Sequence, residues 1–219
     1  MSRSPSERTE PAEAQVLRER LVRELAIEVQ SERVLEAMRL VPRHLFVRGA
    51  PLRIAYGNVP WPIGHGQTIS QPLVIAMMTE ALDLSGSERV LEVGTGSGYQ
   101  AAVLSLLAKE VYTIEVVPEL GQAARKRLGE LGYSNVRVLV GDGYRGWPQR
   151  APFDRIVLTA APSEVPSALL DQLALQGVLV APIGSTPWTQ RLLRCTKTPF
   201  GIDVDDLGGV RFVPMIRGA

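Results

Sequence analysis

From residue 89 onward, short runs of Val, Ile and Leu alternate with longer amphipathic stretches, and this alternation limits the fold more than any other feature of the chain. Residues 90–93, 111–114, 136–140, 153–158 and 177–181 read as strands. Residues 99–108, 118–131 and 165–175 have the spacing of helices. Strands that alternate with helices of about 10–15 residues imply a parallel sheet with helices on both faces. The strands are continuous apolar runs, as expected when a sheet is buried on both sides. Residues 191–196 and 210–213 read as two more strands without a helix between them, an antiparallel addition. The expected class is α/β, a doubly wound and mostly parallel sheet.

The part before the sheet is organised differently. Val16, Leu17, Leu21, Leu25 and Ile27 recur near the helical period, and Val34, Leu35, Met38 and Leu40 continue it after a break near Ser31. Two short helices are expected over residues 12–40. Residues 41–72 are rich in Pro and Gly, about thirty residues of irregular chain, and ordered segments of that kind are often functional. A helix is expected to follow over residues 72–82. Residues 1–11 are polar and read as a disordered leader. The expected organisation is one domain over residues 12–219. Within it, residues 12–82 supply helices and a loop, and residues 83–219 the sheet core.

Composition narrows the classes. The 24 basic and 23 acidic residues leave a net charge of +1, which gives no bias toward nucleic acid or anionic lipid. The lone Cys195 excludes an intrachain disulfide, and His44 and His65 are too few for a His/Cys zinc site; composition leaves an all-carboxylate site open, and no metal is assigned. No apolar run approaches the ~18 residues that span a bilayer, and the N-terminus lacks the apolar stretch of a signal peptide. A cytoplasmic protein with no membrane partner is expected. Cys195 reads as a core thiol, and Trp61, Trp147 and Trp188 as partly buried loop residues.

The sharpest motif is the run from Val90 to Tyr99, in which a strand enters Gly94-Thr95-Gly96-Ser97-Gly98 and then a helix. Glycine permits the tight turn and close approach of a ligand to the backbone. The G-x-G-x-G spacing, with Glu92 two residues ahead, suits S-adenosylmethionine better than a dinucleotide pyrophosphate. The methionine tail of that cofactor carries an ammonium and a carboxylate, so it wants an acceptor and backbone donors. Glu92 is a candidate for the ammonium, directly or through water; the alternative is a plain βα turn with Glu92 satisfied by local N–H groups. Glu115 ends the next strand, about twenty residues beyond Gly94, where a doubly wound fold places an acid on the ribose hydroxyls. Otherwise it is a solvent-facing acid. Asp142, between Gly141 and Gly143, reads alone as a turn. As the third carboxylate at three successive strand ends, it can also reach an adenine amino group.

The segment from Pro62 to Pro72, with Gln67, Thr68, Ile69 and Ser70, precedes the helix opened by Pro72. Taken alone, Ser70 reads as a helix N-cap and Thr68 as a loop hydroxyl. A cap and a ligand contact are compatible, because free N–H groups at a helix start also hold anions.

In these pieces the chain resembles the protein-L-isoaspartate O-methyltransferase family. The resemblance is carried by residues 41–47 (VPRHLFV), 62–72, 90–102, Ile114-Glu115, Gly141-Asp142-Gly143, Phe153-Asp154, Thr159-Ala160-Ala161, 177–182 and Phe212-Val213-Pro214-Met215. It implies a Rossmann-like class I methyltransferase fold. It implies methyl transfer from S-adenosylmethionine to the free α-carboxylate of L-isoaspartyl residues in damaged proteins and peptides, with S-adenosylhomocysteine as the other product. Spontaneous succinimide closure of the ester then leads back toward aspartate. On this resemblance Ser70 matches the active-site serine and Thr68 lies beside it. Gln67 and Ile69 touch the cofactor, as do Gly94, Thr95, Gly96 and Gly98 of the glycine loop. Glu115 flanks the ribose, and Asp142 and Gly143 flank adenine. A monomer that binds isoaspartyl peptides, and no nucleic acid, is expected. Asn58 departs from the acid that the family often has, and Gln190 lies in a variable stretch.

Overall fold

A computed structural model describes residues 11–47 and 49–218. The expected leader therefore lies, apart from Pro11, outside the described residues. Helix α1 (Ala12–Leu25) buries Ala14, Leu21, Val22 and Leu25. It stops at Leu25, so Ile27, expected on its apolar stripe, is 74% exposed. Helix α2 (Glu32–Leu40) starts where the break was expected. The Ser31 hydroxyl accepts from the Val34 N–H, and the amides of Gln30 and Ser31 both donate to Glu80 Oε1 at 2.7 Å.

The Pro/Gly-rich stretch is more ordered than its composition suggests. It holds a single 3-10 turn (Arg43–Phe46), a one-turn helix α3 (Leu52–Ala55) and a hairpin of β1 (Trp61–Gly64) and β2 (Gln67–Ile69). His65 and Gly66 connect the hairpin with φ of 53° and 70°, the two positive angles that a tight two-residue turn requires. Helix α4 (Pro72–Ala81) follows, with Pro72 in its first turn.

The main sheet is built from β3 (Arg89–Val93), β4 (Glu110–Glu115), β5 (Val136–Val140), β6 (Phe153–Leu158), β7 (Leu173–Ile183), β8 (Arg191–Thr198) and β9 (Gly201–Gly209). Helices α5 (Tyr99–Ser105), α6 (Pro118–Glu130) and α7 (Ser167–Gln172) make three of the four crossovers, and the one between β5 and β6 holds two 3-10 turns, Gly143–Arg145 and Pro148–Arg150. The spatial order is β5-β4-β3-β6-β7-β8-β9; β3 to β7 are parallel, and β8 and β9 antiparallel. The chain steps outward from β3 to β5, then crosses back to β6 on the other side of β3. A switch of this kind opens a crevice at the carboxyl ends of the strands.

Strand parity assigns side chains to the two cores. Val90, Val111, Val157 and Val180 point into one, shared with α1, α2, α4 and α5. Leu91, Tyr112, Ile156 and Leu179 point into the other, shared with α7. Cys195 is buried in this second core, as expected of a packing thiol.

Two expectations fail. The helix expected over residues 165–175 spans only Ser167–Gln172, because the buried Gln172 amide ties it to Arg145 and Trp147 in the β5–β6 connection and Leu173 already pairs with Phe153. The last strand is not residues 210–213 but β9, whose Asp203, Asp205 and Asp206 hide it from a search for apolar runs. Charge on an edge strand blocks pairing with other chains. Residues 210–216 leave the sheet and cross its carboxyl end, where Pro214 bridges Ala161 and the Met215 N–H donates to the Ala161 carbonyl at 2.8 Å.

Candidate active site

The glycine loop is held by its neighbours on both sides. The Gly94 N–H donates to the Ile114 carbonyl at 2.8 Å, and the Thr159 hydroxyl at the end of β6 donates to the Gly94 carbonyl at 2.6 Å. Gly94 has φ +103°, and a Cβ there would stand 2.3 Å from Thr159 Oγ1. The Gly96 N–H donates to Glu115 Oε2 at 2.7 Å, and the Val117 N–H to Glu115 Oε1 at 3.0 Å.

These strand ends floor a cavity of about 60 Å³. Gln67 and Thr68 of β2 close one side. Val213 to Ile216 form the roof, which the Tyr144 hydroxyl fixes by donating to the Met215 carbonyl at 3.1 Å. Gly94, Gly96, Glu115, Gly143 and Thr159 line the rest. At Gly143 a Cβ would stand 2.4 Å from Val93 Cγ1, so only glycine fits. Ile69, Ser70 and Thr95 line a smaller recess beside it.

Two expected cofactor residues lie elsewhere, and a third is held in a local cap. Glu92 is 0% exposed, because strand parity turns it under α5 rather than toward the cavity. Its Oε2 accepts from the Thr113 hydroxyl and its Oε1 has no partner; burial pushes its pKa up to about 8. It cannot touch an ammonium directly, nor is it satisfied by local N–H groups. Gly98 is not in the cavity wall: it has φ +85° at the start of α5, and a Cβ there would sit 3.3 Å from Leu128 of α6. Its work is close helix packing. The Asp142 carboxyl accepts from the Tyr144 N–H at 2.9 Å and caps a 3-10 turn, leaving Gly143 on the cavity wall.

A second, open groove of about 560 Å³ runs beside the cavity, with Ser70, Gln71, Trp188, Gln190 and Phe212 along it. Thr68 and Thr159 line both spaces and mark where they join. Ser70 does not cap α4: the cap position is Gln71, and the Leu73 N–H instead donates to Asn58 Oδ1 at 3.0 Å. Asn58 also donates to Glu24, so the residue that departs from the family's acid ties α4 to α1. Gln190 is buried, with Oε1 accepting from the Phe212 N–H and Nε2 donating to the Phe212 carbonyl. It pins the start of the roof and does not line the cofactor cavity. Trp188 is 80% exposed, not partly buried as expected, with the Arg211 guanidinium 4.0 Å over its ring.

Sequence reading missed Thr159 and the Val213–Ile216 roof as site residues. A polar residue after the fourth apolar run was the available signal for Thr159. Phe212 to Met215 stood among the pieces of the resemblance, but their apolar run read as a strand and gave no sign of a roof.

The switch-point cavity, the glycine loop and the carboxylate at the next strand end define a class I methyltransferase with a Rossmann-like fold. The chain belongs to the protein-L-isoaspartate(D-aspartate) O-methyltransferase family, whose model matches residues 16–219. The protein-L-isoaspartate O-methyltransferase of Gloeobacter violaceus is 54% identical over 189 residues, covering 86% of this chain and 92% of that one. A solved protein-L-isoaspartate O-methyltransferase superposes with a TM-score of 0.82 at 28% identity over 90% of this chain, which spans 65% of that longer one. A Plasmodium falciparum chain assigned to the same activity, solved with S-adenosyl-L-homocysteine, superposes with a TM-score of 0.79 at 27% identity, covering 93% of this chain and 98% of that one.

Proposed function

We infer that the chain esterifies the free α-carboxylate of L-isoaspartyl residues in damaged proteins and peptides, with S-adenosylmethionine as methyl donor. The observation that carries this reading is the junction at Thr68 and Thr159 between a strand-end cavity and an open groove bearing Ser70. The cavity's chemistry fits the cofactor. Gly94 and Gly143 leave no room for a side chain, so a ligand meets bare backbone. Each oxygen of Glu115 holds one backbone N–H and keeps a lone pair for a ribose hydroxyl. Gln67, Ile69, Thr95 and Gly96 would surround the methionine part, and Asp142 with Gly143 would flank adenine.

When bound, the cofactor supplies a methyl group already activated by its sulfonium. The chain's own task is alignment. An isoaspartyl α-carboxylate, with a pKa near ~4, is ionised at neutral pH and needs no general base. Ser70 and Thr68 donate hydrogen bonds that aim it along the line of displacement, and orientation of this kind is worth up to about 7–11 kcal/mol. Neither hydroxyl acts as a nucleophile: His44 Nδ1 is 2.6 Å from the Tyr56 hydroxyl, and His65 sits exposed in the hairpin turn. The hairpin and the roof keep water from the methyl.

We read residues 12–219 as one domain, acting as a monomer in the cytoplasm without nucleic-acid or membrane partners. The near-zero net charge supports only the last point, and no helix of the described residues is long and apolar enough to cross a membrane. The test is labelled-methyl transfer to two peptides that differ only in an isoaspartyl or an aspartyl linkage. Label is expected in the isoaspartyl peptide alone; equal labelling would overturn the assignment.

A further inference from the structure

The 3-10 turn over Arg43–Phe46 buries a charged side chain without a counter-ion. Arg43 is 1% exposed, and no carboxylate among the described residues pairs with it. Its Nη2 donates to the Ser70 carbonyl at 2.9 Å, while Nε and Nη1 have no acceptor. Its Cζ lies 4.8 Å from the centroid of the Tyr99 ring, the first residue of α5, and Phe46 packs edge-on against the same ring. Burial lowers its pKa to about 10, so it remains a cation at neutral pH.

A buried cation with unmet donors weakens a fold, and an apolar residue of similar shape would serve packing better. Violations of this kind concentrate where function requires them. Here the function is near at hand. The Ser70 carbonyl and hydroxyl belong to one residue, so covalent geometry keeps Arg43 Nη2 within about 7 Å of that hydroxyl. The anion expected in the groove is the charge that Arg43 lacks.

We propose that Arg43 is a positioning residue for methyl transfer: it fixes the main chain of Ser70 and provides the countercharge behind the substrate carboxylate. This rests on the assignment of Ser70 to that carboxylate.

The experiment compares wild type, Arg43→Met and Arg43→Lys in the two-peptide assay, together with S-adenosylhomocysteine affinity by calorimetry and Tm. In Arg43→Met, kcat/KM for the isoaspartyl peptide is expected to fall about 30-fold, mainly through KM, the low end of what removing one member of a buried charge pair costs. Cofactor-product affinity is expected to stay within about threefold, and Tm to equal or exceed that of wild type. Arg43→Lys, which keeps the charge, is expected to recover about tenfold of the loss. The proposal is overturned if Arg43→Met melts well below wild type, if cofactor-product affinity falls as far as peptide efficiency, or if Arg43→Lys is no better than Arg43→Met. Failure of the broader assignment shows separately, as a wild-type chain that labels both peptides equally, and that result overturns both.

Discussion

The Gly96 amide donates to the Glu115 carboxylate at 2.7 Å, so the loop after β3 and the end of β4 form one unit. The carboxylate proposed for the ribose is also the group that shapes the glycine loop. Binding and loop order are therefore coupled through one side chain.

Glu115→Gln tests this coupling. The amide keeps the shape but loses the charge, and its NH₂ must face the N–H of either Gly96 or Val117. Affinity for S-adenosylhomocysteine is expected to fall about 10- to 100-fold, the value of a hydrogen bond to a charged group. Tm should fall as well. Calorimetry and thermal melting check both; unchanged affinity would remove Glu115 from the cofactor.

Ser70→Ala separates aiming from cofactor binding. Turnover of the isoaspartyl peptide is expected to fall about 10- to 100-fold while S-adenosylhomocysteine affinity stays near wild type. Collapse of cofactor binding, with normal turnover per bound complex, would contradict the aiming role.

Asp142 has a capping duty that competes with its proposed adenine contact. Asp142→Ala is expected to cost about 1 kcal/mol of stability through the lost bond to the Tyr144 N–H, and to weaken cofactor affinity. Asp142→Asn keeps an acceptor for that N–H and should retain most of the stability. Urea unfolding and calorimetry distinguish the two effects; unchanged cofactor affinity in Asp142→Ala would sink the adenine assignment.

Glu92 gives the fold a pH dependence. Burial raises its pKa from the ordinary 4.5 to about 8, so the folded chain keeps this proton while the unfolded chain has lost it. Its contribution to stability is full below about pH 4.5 and is lost progressively as pH rises toward 8. Glu92→Gln removes the titration. The Tm of the variant minus that of wild type should therefore grow between pH 5 and 8 and level off above. A difference that does not change with pH would show that Glu92 is ionised throughout.

Gly94 and Gly66 both have positive φ but differ in their surroundings. A Cβ at Gly94 meets Thr159 at 2.3 Å, whereas one at Gly66 meets nothing within 4 Å. Gly94→Ala is expected to cost about 2–4 kcal/mol, from a strained backbone and a close contact together. Gly66→Ala should cost about 1–2 kcal/mol from the left-handed conformation alone. Urea unfolding of both variants checks the order; equal costs would show that Thr159 moves aside freely.

What the sequence alone determined is local. The period of burial along β3, β4 and β6, the glycine turn after Val93 and the helix break at Ser31 each follow from steric and hydrophobic preferences within a few residues. They were readable without knowing where the chain goes next. Gly94, Gly96 and Glu115 were picked out for the same reason, since each sits at a strand end that its neighbours fix, whereas Thr68 and Ser70 were named only through the family resemblance. Tertiary structure decided which groups meet across the fold. Parity turned Glu92 under α5, the acidic edge of β9 displaced residues 210–216 from the sheet to the roof, and the Arg43 guanidinium came to lie behind Ser70, 27 residues away. Partnerships of polar groups over such separations depend on how the elements pack, and the spacing along the chain does not record them.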